Sequence, residues 1–171
     1  MIDAKGSTKK QQSSSKPSSK PSSLRSEVSL AFRPFRIDDR SFILNAWLKS
    51  YRKYQAGVAD EVYFKGHSAL IFELASRSKM VIACDCANTN YIMGFVCGHL
   101  RENLVETVIH YIYVKDDYRY NYIARDLVAH LGYRQQGNII ATHWGHPITA
   151  IAKKYPIIYN PYFNVIGAQD V

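Results

Sequence analysis

A short polar and aromatic segment, residues 119–124, has the composition and position of an anion-binding loop. It lies between a hydrophobic run and a segment with helical periodicity, and it reads Arg119, Tyr120, Asn121, Tyr122, Ile123 and Ala124. The first N–H groups of a helix lack partners within the helix, and the helix dipole places partial positive charge at the same end. A loop that feeds directly into a helix therefore favours an anion such as a diphosphate.

This loop depends on the elements that flank it. Residues 108–114 are β-branched or aromatic apart from His110, which predicts a mostly buried strand. After a polar break, apolar residues recur at helical spacing as far as Leu131, and Gly132 supplies a helix stop. The sequence therefore predicts a strand, a loop and a helix in that order.

The rest of the chain predicts further strands and helices around this unit. Patterning indicates strands at residues 28–36, 80–84, 91–100, 139–143 and 157–163, and helices at residues 42–51, 69–76 and 146–155. Asp38 and Asp39 are predicted to cap the first helix. Gly94 and Gly98 inside a strand indicate a bulge or a close approach. We expect an α/β fold with a mixed, mainly antiparallel sheet of roughly six or seven strands and about four helices.

The strand, loop and helix resemble the core of the GNAT family of N-acyltransferases. In that family a central strand ends in V-x-x-x-Y-R, and a loop R/Q-x-x-G-x-G/A wraps the pyrophosphate of acetyl-coenzyme A. The chain has the matching residues Val114, Tyr118, Arg119, Ile123 and Ala124. It departs at the first glycine position, Tyr122, where a side chain narrows the cleft or turns the loop away from the phosphates. The element order over residues 28–163 is similar to the GNAT layout.

The resemblance implies an acetyl-coenzyme A dependent transfer of an acetyl group to an amine, whose identity the sequence does not show. The main chain of Ile112 and Val114 would hold the pantetheine. The diphosphate would be held by Arg119, Tyr120, Asn121, Tyr122, Ile123 and Ala124. The loop at residues 57–66 and its flanking helices would line the acceptor pocket.

Three side chains are candidates for proton transfer. Tyr155 resembles the family's tyrosine that protonates the leaving sulfur, and a packed aromatic is the alternative for this residue among 13 tyrosines. Glu106 and His110 lie on the central strand and are candidates for the base. The alternatives are a hydrogen-bonded core histidine and a glutamate at a solvated strand start.

A second functional hypothesis is a catalytically silent GNAT-like scaffold that serves as a binding or assembly subunit, in a virus particle or a nucleoprotein complex. Tyr122 favours it, and so does the Ser-, Lys- and Pro-rich composition of residues 1–26, which predicts a disordered basic arm before a domain at 27–171. Half of the net charge of +8 lies before position 28. Such an arm suits a protein or nucleic-acid partner.

The sequence also argues against several classes of protein. It has neither a membrane-length apolar run nor a signal core, so we expect a soluble cytoplasmic protein, or part of a viral particle, without a membrane partner. The three cysteines and the pair His143 and His146 do not form a disulfide or metal pattern. No P-loop or G-x-S-x-G motif is present. The last strand and the tyrosine-rich C-terminal segment suggest a homo-oligomer contact.

Overall fold

The computed structural model describes residues 29–101, 106–133 and 137–163, and the predicted arm at residues 1–26 lies outside them. Within these ranges six strands form one sheet in chain order: β1 (Leu30–Pro34), β2 (Lys79–Asp85), β3 (Ile92–Arg101), β4 (Glu106–Val114), β5 (Asn138–Ala141) and β6 (Ile157–Tyr159). Strands β1 to β4 pair antiparallel, whereas β5 and β6 are added in parallel. The predicted α/β class with a mixed, mainly antiparallel sheet is confirmed.

Four α-helices accompany the sheet in the described ranges: α1 (Arg40–Arg52), α2 (Asp60–Arg77), α3 (Ile123–Leu131) and α4 (His146–Ala152). Helix α3 ends as predicted at Gly132, whose φ of 119° lies in the left-handed region. Helix α4 ends three residues before Tyr155, and β6 stops at Tyr159, ahead of the Asn-Pro pair. No helix in the described ranges is both long and apolar enough to cross a bilayer.

The predicted loop at residues 57–66 is wrong over most of its length, because α2 begins at Asp60 and continues through Gly66. Asp60 and Glu61 occupy the first turn, where acidic side chains interact favourably with the helix dipole. Glycine disfavours a helix by about 1 kcal/mol relative to alanine. Burial along the same helix outweighs that penalty, since Tyr63 is 4% and Leu74 0% exposed. The linker between α1 and α2 is therefore confined to residues 53–59.

Two apolar cores lie on opposite faces of the sheet. Helices α3 and α4 cover one face, where Ile112 of β4 is buried against Leu127. Helices α1 and α2 cover the other face, where Tyr111 of β4 packs with Trp47. Successive side chains of a strand point to opposite faces. The second half of β4 therefore contributes to both cores.

A buried ion pair joins the start of α1 to the edge strand β1. The Arg33 guanidinium donates to both carboxylate oxygens of Asp39, at 2.6 and 2.8 Å, and the Arg36 N–H donates to the same carboxylate at 2.8 Å. Burial by itself raises the pKa of Asp39, but the hydrogen bonds from Arg33 and Arg36 outweigh it and lower the pKa. Asp39 does precede α1 as predicted, yet its side chain makes no cap hydrogen bond there. The carboxylate is used by Arg33 instead.

We expect Asp39→Asn to destabilise the protein by about 3–5 kcal/mol, because the Arg33 charge would stay buried without its counter-charge. Asp38→Asn is the matched control: Asp38 is exposed, so its substitution should change the free energy of unfolding by less than about 0.5 kcal/mol. Urea unfolding curves of the two variants measure the difference. Equal effects of both substitutions would contradict a structural role for the ion pair.

Two histidines lie in the aromatic core between α1, α2 and the sheet; His67 is partly buried and His143 is buried. His67 stacks between Tyr51 and Tyr63, with ring centroids 5.0 and 5.1 Å away, and its Nε2 has no hydrogen-bond partner among the described residues. His143 is 4% exposed, and its Nδ1 lies 2.9 Å from Thr142 Oγ1. Burial lowers the pKa of His67 to about 4 and that of His143 to about 3. Both imidazoles are therefore neutral near neutral pH.

These histidines should make the protein lose stability in mild acid. In the unfolded chain each histidine takes up a proton below about pH 6.5, whereas in the folded chain it does so only near its lowered pKa. Their contribution to the free energy of unfolding is therefore complete above the unfolded pKa and is lost as the pH falls. For His143 alone the loss reaches roughly 2 kcal/mol by about pH 5.

The substitution His67→Phe tests this pH dependence, because it keeps a ring between Tyr51 and Tyr63 and removes the unpartnered nitrogen. Plots of the free energy of unfolding against pH should be shallower for the variant between about pH 7 and pH 5. Above about pH 7.5 the difference between the two slopes should vanish. Parallel curves over the whole range would rule out His67 as a source of acid sensitivity.

Candidate functional site

A β-bulge divides β4 into two halves. In the register of β3 with β4, Cys97 pairs with Tyr111, and the next residue, Gly98, pairs with Ile109. His110 is therefore an extra residue of β4 without a partner in β3. A Cβ at Gly98 would lie 2.1 Å from a carbonyl oxygen of β4, which no side chain permits. The predicted bulge or close approach at this glycine is confirmed. Bulges bend the strand that carries them.

The second half of β4 has a strand partner on one side only. Strand β5 pairs with β4 as far as Ile109 and Ala141, and the Thr142 N–H then donates to the Ile109 carbonyl oxygen at 3.1 Å. Residues 111–114 stay paired with β3, while the described part of the chain supplies no strand on their other side. A gap therefore opens between the ends of β4 and β5, and the main-chain edge of β4 borders it.

A cleft of about 520 Å³ lies at this gap, on the face covered by α3 and α4. It is lined by the end of β4, the loop before α3, the first turn of α3, and α4 with the residues that follow it: Val114, Tyr118, Arg119, Tyr120, Tyr122, Ile123, Ala124, Arg125, His146, Pro147, Ala150, Ile151, Lys154 and Tyr155. Most of the residues predicted for cofactor binding are thus brought together. Asn121 does not line the cleft, and the Ile112 side chain is buried in the core at 1% exposure.

The loop before α3 adopts a backbone that normally requires glycine. Tyr120 has φ 68° and Tyr122 has φ 60°, both in the left-handed region. A residue with a Cβ is disfavoured there by roughly 1–2 kcal/mol. Tyr122 therefore keeps a glycine-like conformation at the family's glycine position. Its ring is 62% exposed and lies between the Arg125 guanidinium, 4.9 Å away, and the Lys154 ammonium, 5.8 Å away. The ring narrows the cleft without filling it.

The walls of the cleft combine positive charge with apolar surface. Arg119, Arg125 and Lys154 line it, and none of the residues that line it is acidic. Arg119 pairs with Asp116 and Arg125 with Asp126, so Lys154 is the lining cation without an ion pair among the described residues. In the described structure no side chain caps the free N–H groups at the start of α3. Ile123 and Ile151 supply apolar wall between these cations and the end of β4. The cleft therefore suits a ligand with an anionic end and a longer uncharged portion.

Tyr155 follows α4 and lines the same cleft. Its ring contacts the Tyr133 ring edge to face, with centroids 5.7 Å apart, and its N–H donates to the Ile151 carbonyl oxygen at 3.0 Å. These contacts orient the side chain. They suit both hypotheses for this residue, the packed aromatic and the proton donor, because a phenol in a cleft wall can do both.

Glu106 is not brought to the cleft. It is the first of the nine residues of β4, which puts it roughly 25 Å from Val114 along the strand. Its carboxylate pairs with the Arg101 guanidinium on the adjacent strand at 3.0 Å. The sequence could not show this, because the strand composition gives no sign of which end borders the site. We assign Glu106 to the β3–β4 pairing and not to proton transfer.

His110 lies at the bulge, where the gap begins. It is 2% exposed, and its Nδ1 is 3.2 Å from Thr142 Oγ1, which in turn is 2.9 Å from His143 Nδ1. His110 does not line the cleft. Its contacts agree with the hydrogen-bonded core histidine that was the alternative to a base.

A second cavity, of about 450 Å³, lies on the opposite face of β4; we call it the α1 groove. It is lined by Phe42, Asn45, Ala46, Lys49, Ser50, Lys53, Tyr113, Asp116 and Arg119. Tyr113 borders this groove, whereas the next residue, Val114, borders the cleft. Sequence analysis missed the groove, although Lys49 and Lys53 at a spacing of four residues were a signal that they share a helix face.

A tyrosine spans the space between α1 and α4. The hydroxyl oxygen of Tyr54 accepts a hydrogen bond of 2.9 Å from the His146 N–H. A Cβ at Gly145 would lie 3.6 Å from the Tyr54 ring, so the two elements are in close contact.

Within the described ranges, no group of three or more histidine, cysteine, aspartate or glutamate side chains is arranged to hold a metal ion.

No protein family model matches the sequence, and no curated protein matches it. Solved structures that resemble the fold include the apo form of YjaB from Escherichia coli, which is 17% identical with a TM-score of 0.43 over 60% of this chain and 63% of that chain. The chain thus spans less than two thirds of the length of YjaB.

GNAT acetyltransferases are among the solved structures to which the fold is similar. An acetyltransferase of the GNAT family from Staphylococcus aureus Mu50 is 12% identical, with a TM-score of 0.44 over 82% of this chain and 78% of that chain. The paiA N-acetyltransferase from Thermoplasma acidophilum, in complex with coenzyme A, is 17% identical, with a TM-score of 0.43 over 60% of this chain and 69% of that chain.

Proposed function

We propose that this chain is an N-acyltransferase that uses acetyl-coenzyme A and transfers its acetyl group to an amine. The observation that supports this best is the position of the cationic cleft at the gap beside the half-paired end of β4. There a ligand bound at the start of α3 can extend along a main-chain edge that no other strand of the described residues occupies. The anion-binding loop and the gap are formed by consecutive parts of the chain.

The residues of the cleft fit coenzyme A in both charge and shape. The start of α3, with Arg125 and Lys154, would hold the diphosphate, and the edge of β4 at Ile112 and Val114 would pair with the amide groups of the pantetheine. When bound, acetyl-coenzyme A supplies an acetyl group activated as a thioester. The loop is already in the left-handed conformation that lets its main chain approach a phosphate.

Tyr155 is the side chain we assign to proton transfer. Its phenol hydroxyl group belongs to the cleft wall, where it would donate a proton to the departing thiolate. Tyr133 keeps its ring in place by an edge-to-face contact. His110, bonded to Thr142, contributes to the position of the bulge instead.

One observation favours a second function, a scaffold that binds a partner without catalysis. The Tyr122 ring contacts both the Arg125 guanidinium and the Lys154 ammonium, and Arg125 also pairs with the Asp126 carboxylate at 2.8 Å. Cation–π contacts of this kind are worth about 0.5–1 kcal/mol each at exposed sites. A ligand has to displace the ring or bind beside it. The partner-binding arm predicted at residues 1–26 belongs to the same proposal.

Calorimetric titration with acetyl-coenzyme A tests the first proposal. We expect a dissociation constant in the range of about 1–100 μM for the natural chain, as the charge and size of the cleft suggest. Tyr122→Gly should bind about three- to tenfold more tightly, because the ring leaves Arg125 and Lys154 while the backbone conformation is kept. Tyr120→Gly is the comparison variant: it relieves the same kind of backbone strain and leaves the Tyr122 ring in place, so a gain in affinity that is larger for Tyr122→Gly measures the effect of that ring.

The outcomes of this titration separate the two functions. Tight binding by the natural chain supports the enzyme. Binding by Tyr122→Gly alone supports a scaffold derived from such a fold. No heat of binding for either chain at millimolar cofactor overturns the transferase.

A further substitution locates the diphosphate. Ala124→Glu places a carboxylate in the first turn of α3, where the helix dipole stabilises it, so the melting temperature should stay within a few degrees of the natural value. The same charge should repel the diphosphate and weaken acetyl-coenzyme A binding by at least about tenfold. Thermal melts and the titration measure the two effects on one preparation. Unchanged affinity would show that the anion lies elsewhere.

A further inference from the structure

The α1 groove is lined by more cationic side chains than acidic ones. Lys49 lies in the last turn of α1, Lys53 is the residue that directly follows the helix, and both are exposed. Within the described residues neither lysine forms an ion pair, and the one acidic side chain that lines the groove, Asp116, is taken by Arg119 at 2.5 Å. Like charges four residues apart destabilise a helix by roughly 0.2–0.5 kcal/mol. An anion in the groove would relieve that repulsion.

The groove also has an aromatic wall and a fixed polar floor. The Phe42 and Tyr113 rings meet edge to face, with centroids 6.3 Å apart. At the floor, the Ser50 and Tyr111 hydroxyls are 2.7 Å apart, which satisfies both groups within the protein. The Asn45 amide already donates to the Ser41 carbonyl oxygen, and the Lys53 ammonium lies 5.0 Å from the centroid of the Tyr54 ring. The two lysine ammonium groups therefore remain as hydrogen-bond donors of the groove that no described residue accepts from. A small organic anion, with some carbon framework against the rings, fits these walls.

The groove and the cleft are separated only by the second half of β4. Tyr113 borders the groove, Val114 borders the cleft, and Arg119 borders both. Because β5 has already left β4 at this level, no strand of the described residues closes the edge of β4 between the two cavities. A molecule in the groove can thus present one end to a molecule held in the cleft.

We propose that the α1 groove binds the acceptor of the reaction, and that this acceptor is an amine that also carries a carboxylate or phosphate group, held by Lys49 and Lys53. The role of this ligand as the acceptor rests on the proposed transferase function. The binding of an anion by Lys49 and Lys53 does not depend on that function. In the transfer, the acyl carbon–sulfur bond breaks as an acyl carbon–nitrogen bond forms. The proton lost by the amine ends on the sulfur, so one free thiol appears for each N-acyl product.

Binding of small amines to the natural chain, without cofactor, tests the anion site first. Three probes share an aminoethyl or aminomethyl unit: phosphoethanolamine, glycine and ethanolamine. We expect chemical-shift perturbation by NMR at α1 from phosphoethanolamine, from glycine, or from both, and none from ethanolamine, which lacks the anion. The stronger of the two anionic probes identifies the group as phosphate or carboxylate. Binding should weaken as salt is raised from about 50 to about 300 mM.

Charge-neutralising substitutions assign the contact to the lysines. The double variant Lys49→Gln with Lys53→Gln should bind the anionic probe at least about tenfold more weakly. Lys65→Gln, at an exposed lysine of α2, is the matched control and should bind like the natural chain. Neither variant should alter the affinity for acetyl-coenzyme A, since none of Lys49, Lys53 and Lys65 lines the cleft.

The proposal and the transferase assignment fail in different ways. Equal perturbation by ethanolamine and phosphoethanolamine, no binding of either anionic probe, or unchanged binding by the double variant would overturn the anion site, whatever the cofactor result. If the chain also releases thiol from acetyl-coenzyme A, the KM for the anionic amine should rise about tenfold in the double variant with kcat little changed. A fall in kcat alone would show that the lysines do not hold the acceptor.

Discussion

The architecture of the site depends on one close contact, that between Gly98 of β3 and the backbone of β4. A side chain at position 98 would collide with a carbonyl oxygen of β4. The bulge at His110 sits beside this contact, and it changes the direction of β4 where the pairing with β5 ends. The gap, the cleft and the groove all lie beyond that point. A local irregularity of one residue therefore determines which part of the sheet is open to ligands.

The loop before α3 shows a balance between local strain and packing. Two tyrosines occupy left-handed conformations that would suit glycine, and each is disfavoured by roughly 1–2 kcal/mol. The strand before the loop and the helix after it are held by buried residues such as Val114 and Leu127, and these fix where the loop must begin and end. The surrounding packing therefore imposes on two tyrosines a loop conformation that is intrinsically unfavourable for them.

The sequence predicts well those elements whose signals are local. The strand at residues 108–114 and the helix stop at Gly132 follow from residue types that act over a few positions, and both are observed. The sequence fails where distant residues decide: the predicted loop at 57–66 is helical because Tyr63 and Leu74 are buried against other elements. The Asp39 carboxylate accepts hydrogen bonds from Arg33 of β1 and does not cap α1, and no local sequence pattern indicates this pairing.

The candidate site divides along the same line. That the loop residues border the cleft was predictable, because they lead directly into a helix start, which is a local feature. The position of Glu106 and the existence of the α1 groove were not, since both depend on how separate elements meet.

The contrast between positions 98 and 122 has an evolutionary consequence. Gly98 is required by the backbone packing of the sheet, so any descendant of this chain that still folds in this way should retain it, whether or not it has an activity. Position 122 is 62% exposed and borders the cleft, so no packing constraint of that kind acts on it. Differences between related chains at residue 122 would therefore reflect selection on the cleft, while residue 98 would reflect only the survival of the fold.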